Sequence, residues 1–101
     1  MKVYISGQIK DSPDYEERFR KAERYLVCKR GYYVLNPAKL QEAFPGLKDD
    51  AYFTLATMIL DYADAIYMLQ GWQNSIGSQI ERMMAIRQGK SILYEKADDR
   101  E

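Results

Sequence analysis

The chain contains no histidine and a single cysteine, Cys28. Without histidine there is no imidazole acid–base chemistry, and the commonest metal ligand is missing. One cysteine excludes an internal disulfide and a cysteine-built zinc site. Cys28 lies between Val27 and Lys29 in a helical pattern, where a packed thiol is expected. Neither sign of charge is in excess, with 15 Lys and Arg against 15 Asp and Glu. No broad basic field is therefore available to hold a nucleic-acid polymer. No apolar run reaches the length of a membrane span, and residues 1–7 lack the core of a signal peptide. These absences lead to the expectation of a reduced cytoplasmic protein with no metal, no cofactor and no membrane or nucleic-acid partner.

The composition is 47% hydrophobic and 30% charged, which is globular material and not a disordered tail. A single domain is expected over residues 1–95, with a charged tail at 96–101. Nine of the residues are tyrosine. Tyrosine lines wet pockets and subunit contacts as readily as cores, so this excess suggests surface contact without naming the partner.

Apolar and polar residues alternate between two periods along the chain. Lys2 to Ser6 reads as a strand ending at Gly7. Ser12-Pro13 reads as a helix start, with Ser12 as cap and Pro13 in the first helical position. Tyr15, Phe19, Ala22 and Leu26 follow at helical spacing, and Gly31 ends that helix. Tyr32 to Leu35 is a second strand stopped by Asn36-Pro37. Residues 38–46 are ambiguous between a short helix and a loop. Asp49-Asp50 opens a helix with Tyr52, Leu55, Met58, Ile59 and Tyr62 as its apolar stripe. Ala65 to Leu69 is an apolar strand, as a central strand covered on both faces requires. Ser75 to Gln88 is a helix whose expected buried face is Ile76, Ile80, Met83 and Met84. Gly89 caps it, and Ser91 to Tyr94 is the last strand.

Strands alternating with helices predict an α/β fold. A parallel sheet of about four strands, in the order 2-1-3-4, is covered by helices on both faces. Ligands of such sheets bind at the carboxyl ends of the strands, where the strand order reverses. The loops at 7–11 and 70–75 converge there.

Each candidate residue has a plain structural role beside a functional one. Glu81 is a carboxylate in the second turn of the helix opened by Ser75, either a nucleophile or a solvated residue paired with Arg82. Ser75 caps that helix. Its hydroxyl, with the N–H groups of Gly77 and Ser78, can also cradle a phosphate. Gly7, Gln8, Ile9 and Lys10 form either an anion-binding loop or an ordinary turn. Tyr4 faces either the crevice or the core. Trp72 stacks on a base, fills an apolar gap or seals a dimer seam. Asp64 either joins the chemistry or bonds local amides at the start of its strand, and Asp61 either joins it or faces solvent.

Two segments, Val-Tyr-Ile-Ser-Gly-Gln-Ile at 3–9 and Asp-Ala-Ile-Tyr-Met-Leu-x-Gly-Trp-x-x-Ser-x-Gly-x-x-x-Glu at 64–81, resemble a family of small phage and bacterial domains. That family is similar to the nucleoside 2-deoxyribosyltransferases and the deoxynucleoside 5′-monophosphate N-glycosidases. The resemblance implies a flavodoxin-like, Rossmann-like three-layer sandwich and a nucleotide or nucleoside substrate. It places the nucleophilic glutamate at Glu81, a phosphate-binding serine at Ser75, a sugar-side tyrosine at Tyr4 and the phosphate-side loop at Gly7 to Lys10. It implies a homodimer or higher homo-oligomer with shared sites, with which the tyrosine-rich composition is compatible. The implied activity is cleavage of the N-glycosidic bond, with Asp61, Asp64 or Tyr4 left to supply the proton for the departing base. One departure stands out. The enzymes carry an acid about two helical turns before the aspartate matched by Asp64, and here that position is Ala56. The alternative is a nucleotide-binding or sensing module without catalysis.

Overall fold

The computed structural model describes residues 1–97; part of the expected tail, residues 98–101, lies outside the described residues. The elements run β1 (Lys2–Ser6), α1 (Tyr15–Cys28), β2 (Tyr33–Leu35), α2 (Lys39–Ala43), α3 (Asp49–Tyr62), β3 (Ala65–Met68), a 3₁₀ turn (Trp72–Asn74), α4 (Ile76–Arg87) and β4 (Ser91–Tyr94). The four strands form one sheet in the order β2-β1-β3-β4, and every pairing is parallel. This is the expected α/β flavodoxin-like arrangement. No described helix is long and apolar enough to cross a membrane.

β1 and β3 occupy the centre because their side chains suit burial on both faces. Alternation along β1 then sorts residues between two cores. Val3 and Ile5 pack with Phe19, Ala22 and Leu26 of α1. Tyr4 points the other way, into a core with Ala56 and Leu60 of α3, Ile66 and Met68 of β3, and Ala85 of α4. Ser6 has the same parity as Tyr4 and is also buried. The strand's own period therefore directs a phenol and a hydroxyl toward the α3–α4 layer.

The local expectations need four corrections. Ser12 does not cap α1: its hydroxyl donates to Asp14 Oδ1 at 3.2 Å. Its carbonyl accepts from Tyr15 at 3.1 Å, so a turn precedes the helix. Cys28 is exposed, because two residues beyond buried Leu26 is the opposite side of a helix. On α3 the buried residues are Ala56 and Leu60, while Met58 and Tyr62 of the expected stripe are exposed. The small Ala56 allows α3 to settle on the sheet along that line. On α4 the expected face is largely reversed. Ser78, Glu81 and Ala85 are buried, and Ile76, Ile80 and Met83 are exposed.

Candidate functional site

A cavity of about 360 Å³ opens at the carboxyl end of the sheet, within the range of small-molecule sites. Five segments supply its walls. β1 and its following loop give Tyr4, Ser6, Gly7, Ile9 and Lys10. The segment after β2 gives Pro37, Leu40 and Gln41. α3 gives Asp49, Tyr52, Phe53 and Ala56, and α1 gives Phe19. The first two turns of α4 and its cap give Ser75, Gly77, Ser78 and Glu81.

Glu81 is 6% exposed. Tyr4 Oη donates to its Oε2 at 2.5 Å, and Ser6 Oγ donates to its Oε1 at 2.8 Å. Both donors come from β1, where residues of like parity lie on one face. Burial pushes the Glu81 carboxyl above its ordinary value of 4.5, and the two hydroxyl donors pull it back. Burial also pushes the Tyr4 phenol well above its ordinary value, helped by the neighbouring negative charge. Tyr4 is thus a permanent donor, and Glu81 is a buried carboxylate held in one orientation. No ion pair with Arg82 forms. Arg82 turns outward, with its Nε donating to Tyr94 Oη at 2.9 Å and its guanidinium 5.0 Å from the Trp72 ring centre.

The start of α4 is capped as expected: Ser75 Oγ accepts from the Ser78 N–H at 3.2 Å. That bond occupies one of the N–H groups expected for an anion and leaves the Ser75 hydroxyl proton free to donate elsewhere. A Cβ on Gly77 would meet the Phe53 ring at 3.7 Å, so an added methyl would fill cavity space without a clash. Gly7 serves a different purpose. A Cβ there would lie 2.7 Å from Leu69 Cδ1, so the absence of a side chain allows the chain to turn tightly over β3.

Not every expected residue reaches this cavity. Gln8 is not among the lining residues, and its Nε2 donates to Lys10 O at 3.1 Å within the loop. Lys10 does line it, ion-paired with Asp49 at 3.4 Å. Trp72 lies outside. It packs against the core of Tyr4 and Met68 and faces Tyr94 with ring centres 6.4 Å apart, so it takes its packing role. Asp64 and Asp61 sit at the opposite, amino end of the strands. The Lys2 N–H donates to Asp64 Oδ2 at 2.8 Å, and this bond holds the Asp64 carboxyl below its usual range. Asp61 is exposed and accepts from Gln88 Nε2 at 2.9 Å. Neither lines this cavity, because β3 runs its length between Asp64 and the cavity end.

The sequence reading passed over Ser6, Gln41 and Phe53. Ser6 shares its parity with Tyr4 two residues earlier, a signal that was available. Gln41 and Phe53 lie on helices whose facing is decided by tertiary packing. Two buried polar atoms of the cavity lining, Gln41 Oε1 and Ser78 Oγ, have no hydrogen-bond partner. Such atoms cost free energy while they stay unpaired, and both residues line the same hollow. Among the described residues no cluster of acids and cysteine could hold a metal ion.

No curated protein matches the chain. The family described as "Domain of unknown function (DUF4406)" matches residues 1–94, and the chain belongs to that family.

Proposed function

We propose that this protein cleaves the N-glycosidic bond of a (deoxy)nucleoside 5′-monophosphate, with Glu81 as nucleophile. The observation that carries the reading is the buried Glu81 carboxylate on the cavity wall, oriented by Tyr4 and Ser6. A carboxylate so placed suits a reaction whose transition state is cationic at the sugar.

One Glu81 oxygen attacks the anomeric carbon as the carbon–nitrogen bond breaks. The bond's electron pair leaves with the base nitrogen, which takes a proton from water. Water then cleaves the glycosyl ester, releasing the sugar phosphate and restoring the carboxylate. A second base in place of water gives transfer. The apolar walls of Leu40, Phe53 and Pro37 suit a planar base, with Gln41 at its edge. The phosphate sits at the start of α4, where Ser75 Oγ–H and the Gly77 N–H can donate. Lys10 supplies charge. Its pair with Asp49 is over three-quarters exposed on both sides, so a phosphate can displace it at little cost.

A second reading is a nucleotide-binding module without turnover. It is favoured by Ala56, which lines the cavity and offers a methyl group where the resembling enzymes carry an acid. The exposed Ile76, Ile80 and Met83 support a homo-oligomer under either reading, and a cytoplasmic location belongs to both.

The test is incubation with each ribo- and deoxyribonucleoside 5′-monophosphate, followed by chromatography for free base. Release that disappears in Glu81→Gln supports the enzyme. Release that persists in that variant overturns the assignment of Glu81. Ligand-induced thermal stabilisation without release establishes the binding module.

A further inference from the structure

We propose that Ser78 reads the 3′-hydroxyl of the bound nucleotide; this rests on the reading of the cavity as a nucleotide site. Ser78 is 2% exposed and lines the cavity, yet its Oγ has no hydrogen-bond partner. A serine inside a helix can return its hydroxyl to a carbonyl of the preceding turn, and this one does not. Its backbone N–H, in contrast, is committed to Ser75. The side chain is therefore an unspent hydroxyl in the wall of a hollow.

Its position along α4 selects what it meets. Ser75, Ser78 and Glu81 are spaced by three residues, so they are successive neighbours along a helix ridge. At a rise of about 1.5 Å per residue, Ser78 lies about 4.5 Å from each of the other two along the axis. With phosphate at Ser75 and the anomeric carbon at Glu81, the sugar ring spans the interval and lies against Ser78. Displacement of the base requires Glu81 to approach the ring face opposite the base. The 2′- and 3′-hydroxyls of a ribonucleotide project from that same face. The 2′ position adjoins the anomeric carbon and so lies nearest Glu81. The 3′ position is displaced toward the phosphate end, where Ser78 stands. A serine hydroxyl both donates and accepts, so it can pair with the 3′-hydroxyl in either sense.

The experiment compares deoxynucleoside and 2′,3′-dideoxynucleoside 5′-monophosphates of one base by calorimetric titration. It uses Glu81→Gln protein, which removes turnover, with and without Ser78→Ala. The expected result is about tenfold weaker binding of the 3′-hydroxyl ligand in the Ser78→Ala protein, as loss of one buried hydrogen bond predicts. Affinity for the dideoxy ligand stays unchanged, so the preference between the two ligands collapses. The ligand-free melting temperature stays level or rises, because an unpaired buried hydroxyl has been removed. An equal loss for both ligands, or a preference that survives Ser78→Ala, overturns the proposal while leaving the nucleotide site intact. Failure of every nucleotide to bind protein with and without the Glu81→Gln change removes the site itself, and this inference with it.

Discussion

Helices α1 and α4 pack on opposite faces of one sheet and obey opposite rules. α1 buries Phe19, Ala22 and Leu26, which is the apolar stripe its sequence spells out. α4 buries Ser78, Glu81 and Ala85 and leaves Ile76 75% exposed and Met83 56% exposed. Burying apolar area contributes roughly 25 cal/mol per Å², so α1 follows the ordinary drive to fold. α4 sets a carboxylate and an unpaired hydroxyl inside and apolar groups outside. A folded chain keeps such an arrangement where something other than its own stability is served. On that comparison, α1 serves chiefly as scaffold, and the inner face of α4 lines the candidate site.

The largest expected contrast comes from removing the acid. Glu81→Gln should lower base release on the order of 10⁴-fold or more, as loss of a nucleophile does, while stabilising the empty protein. The direction follows from proton binding. The folded-state Glu81 carboxyl is held above its unfolded value by burial, so the folded protein binds that proton more tightly. The associated stability is complete below about pH 4.5 and is lost as pH rises through the raised value. Glutamine removes that loss. The variant should melt higher than wild type at neutral pH, and the difference should shrink in acid. Melting curves across pH check it, and a variant that melts lower at neutral pH would contradict the electrostatic account.

On the scaffold side, Leu26→Ala should destabilise by about 3 kcal/mol, within the usual span for a fully buried leucine. Denaturant unfolding measures it. If the loss were no larger than that of Ile80→Ala, the division between the two helices would be wrong.

Tyr4→Phe comes next in size. It removes the 2.5 Å bond to Glu81 and keeps the ring in the core. A hydrogen bond to a charged group is worth about 1.5–3 kcal/mol, so base release should fall roughly 10- to 100-fold. The missing donor also removes an influence that lowers the Glu81 carboxyl. The acid limb of the pH–rate profile should therefore move to higher pH. A reduced rate with an unmoved limb would mean that Tyr4 acts on the sugar and not on the carboxylate.

The same comparison explains what was legible in the sequence. The strand order and most element ends followed from local signals: apolar runs, the Asn36-Pro37 stop and the Ser75 cap. The buried face of α1 followed from spacing, because burial there obeys hydrophobicity. The buried face of α4 did not, because periodicity reports apolar residues and this helix turns its apolar residues out. Glu81 was singled out from its place after Ser75 and from resemblance, and it lines the cavity. Ser6 could have been found by strand parity. Asp61 and Asp64 lie away from the cavity because nearness to a motif in sequence does not fix an end of the sheet: the two acids precede β3, while the cavity lies beyond it.

The smallest expected effect on folding lies on the outer face of α4. Exposed substitutions away from special contacts usually change stability by less than about 0.5 kcal/mol, so Ile76→Ser should leave the unfolding midpoint of the isolated chain nearly fixed. Its effect on association is a separate quantity. Ile76, Ile80 and Met83 are spaced by four and three residues, so they form one stripe along α4. If a second copy covers that stripe, sedimentation of wild-type protein should show a concentration-dependent assembly that Ile76→Ser weakens, with base release changed only as far as the assembly shapes the cavity. A wild-type chain that stays monomeric at high concentration would mean that no copy of itself covers the stripe. The reversal of α4 would then serve the cavity alone, and the cost of its exposed isoleucines would be carried by the fold without return from an interface.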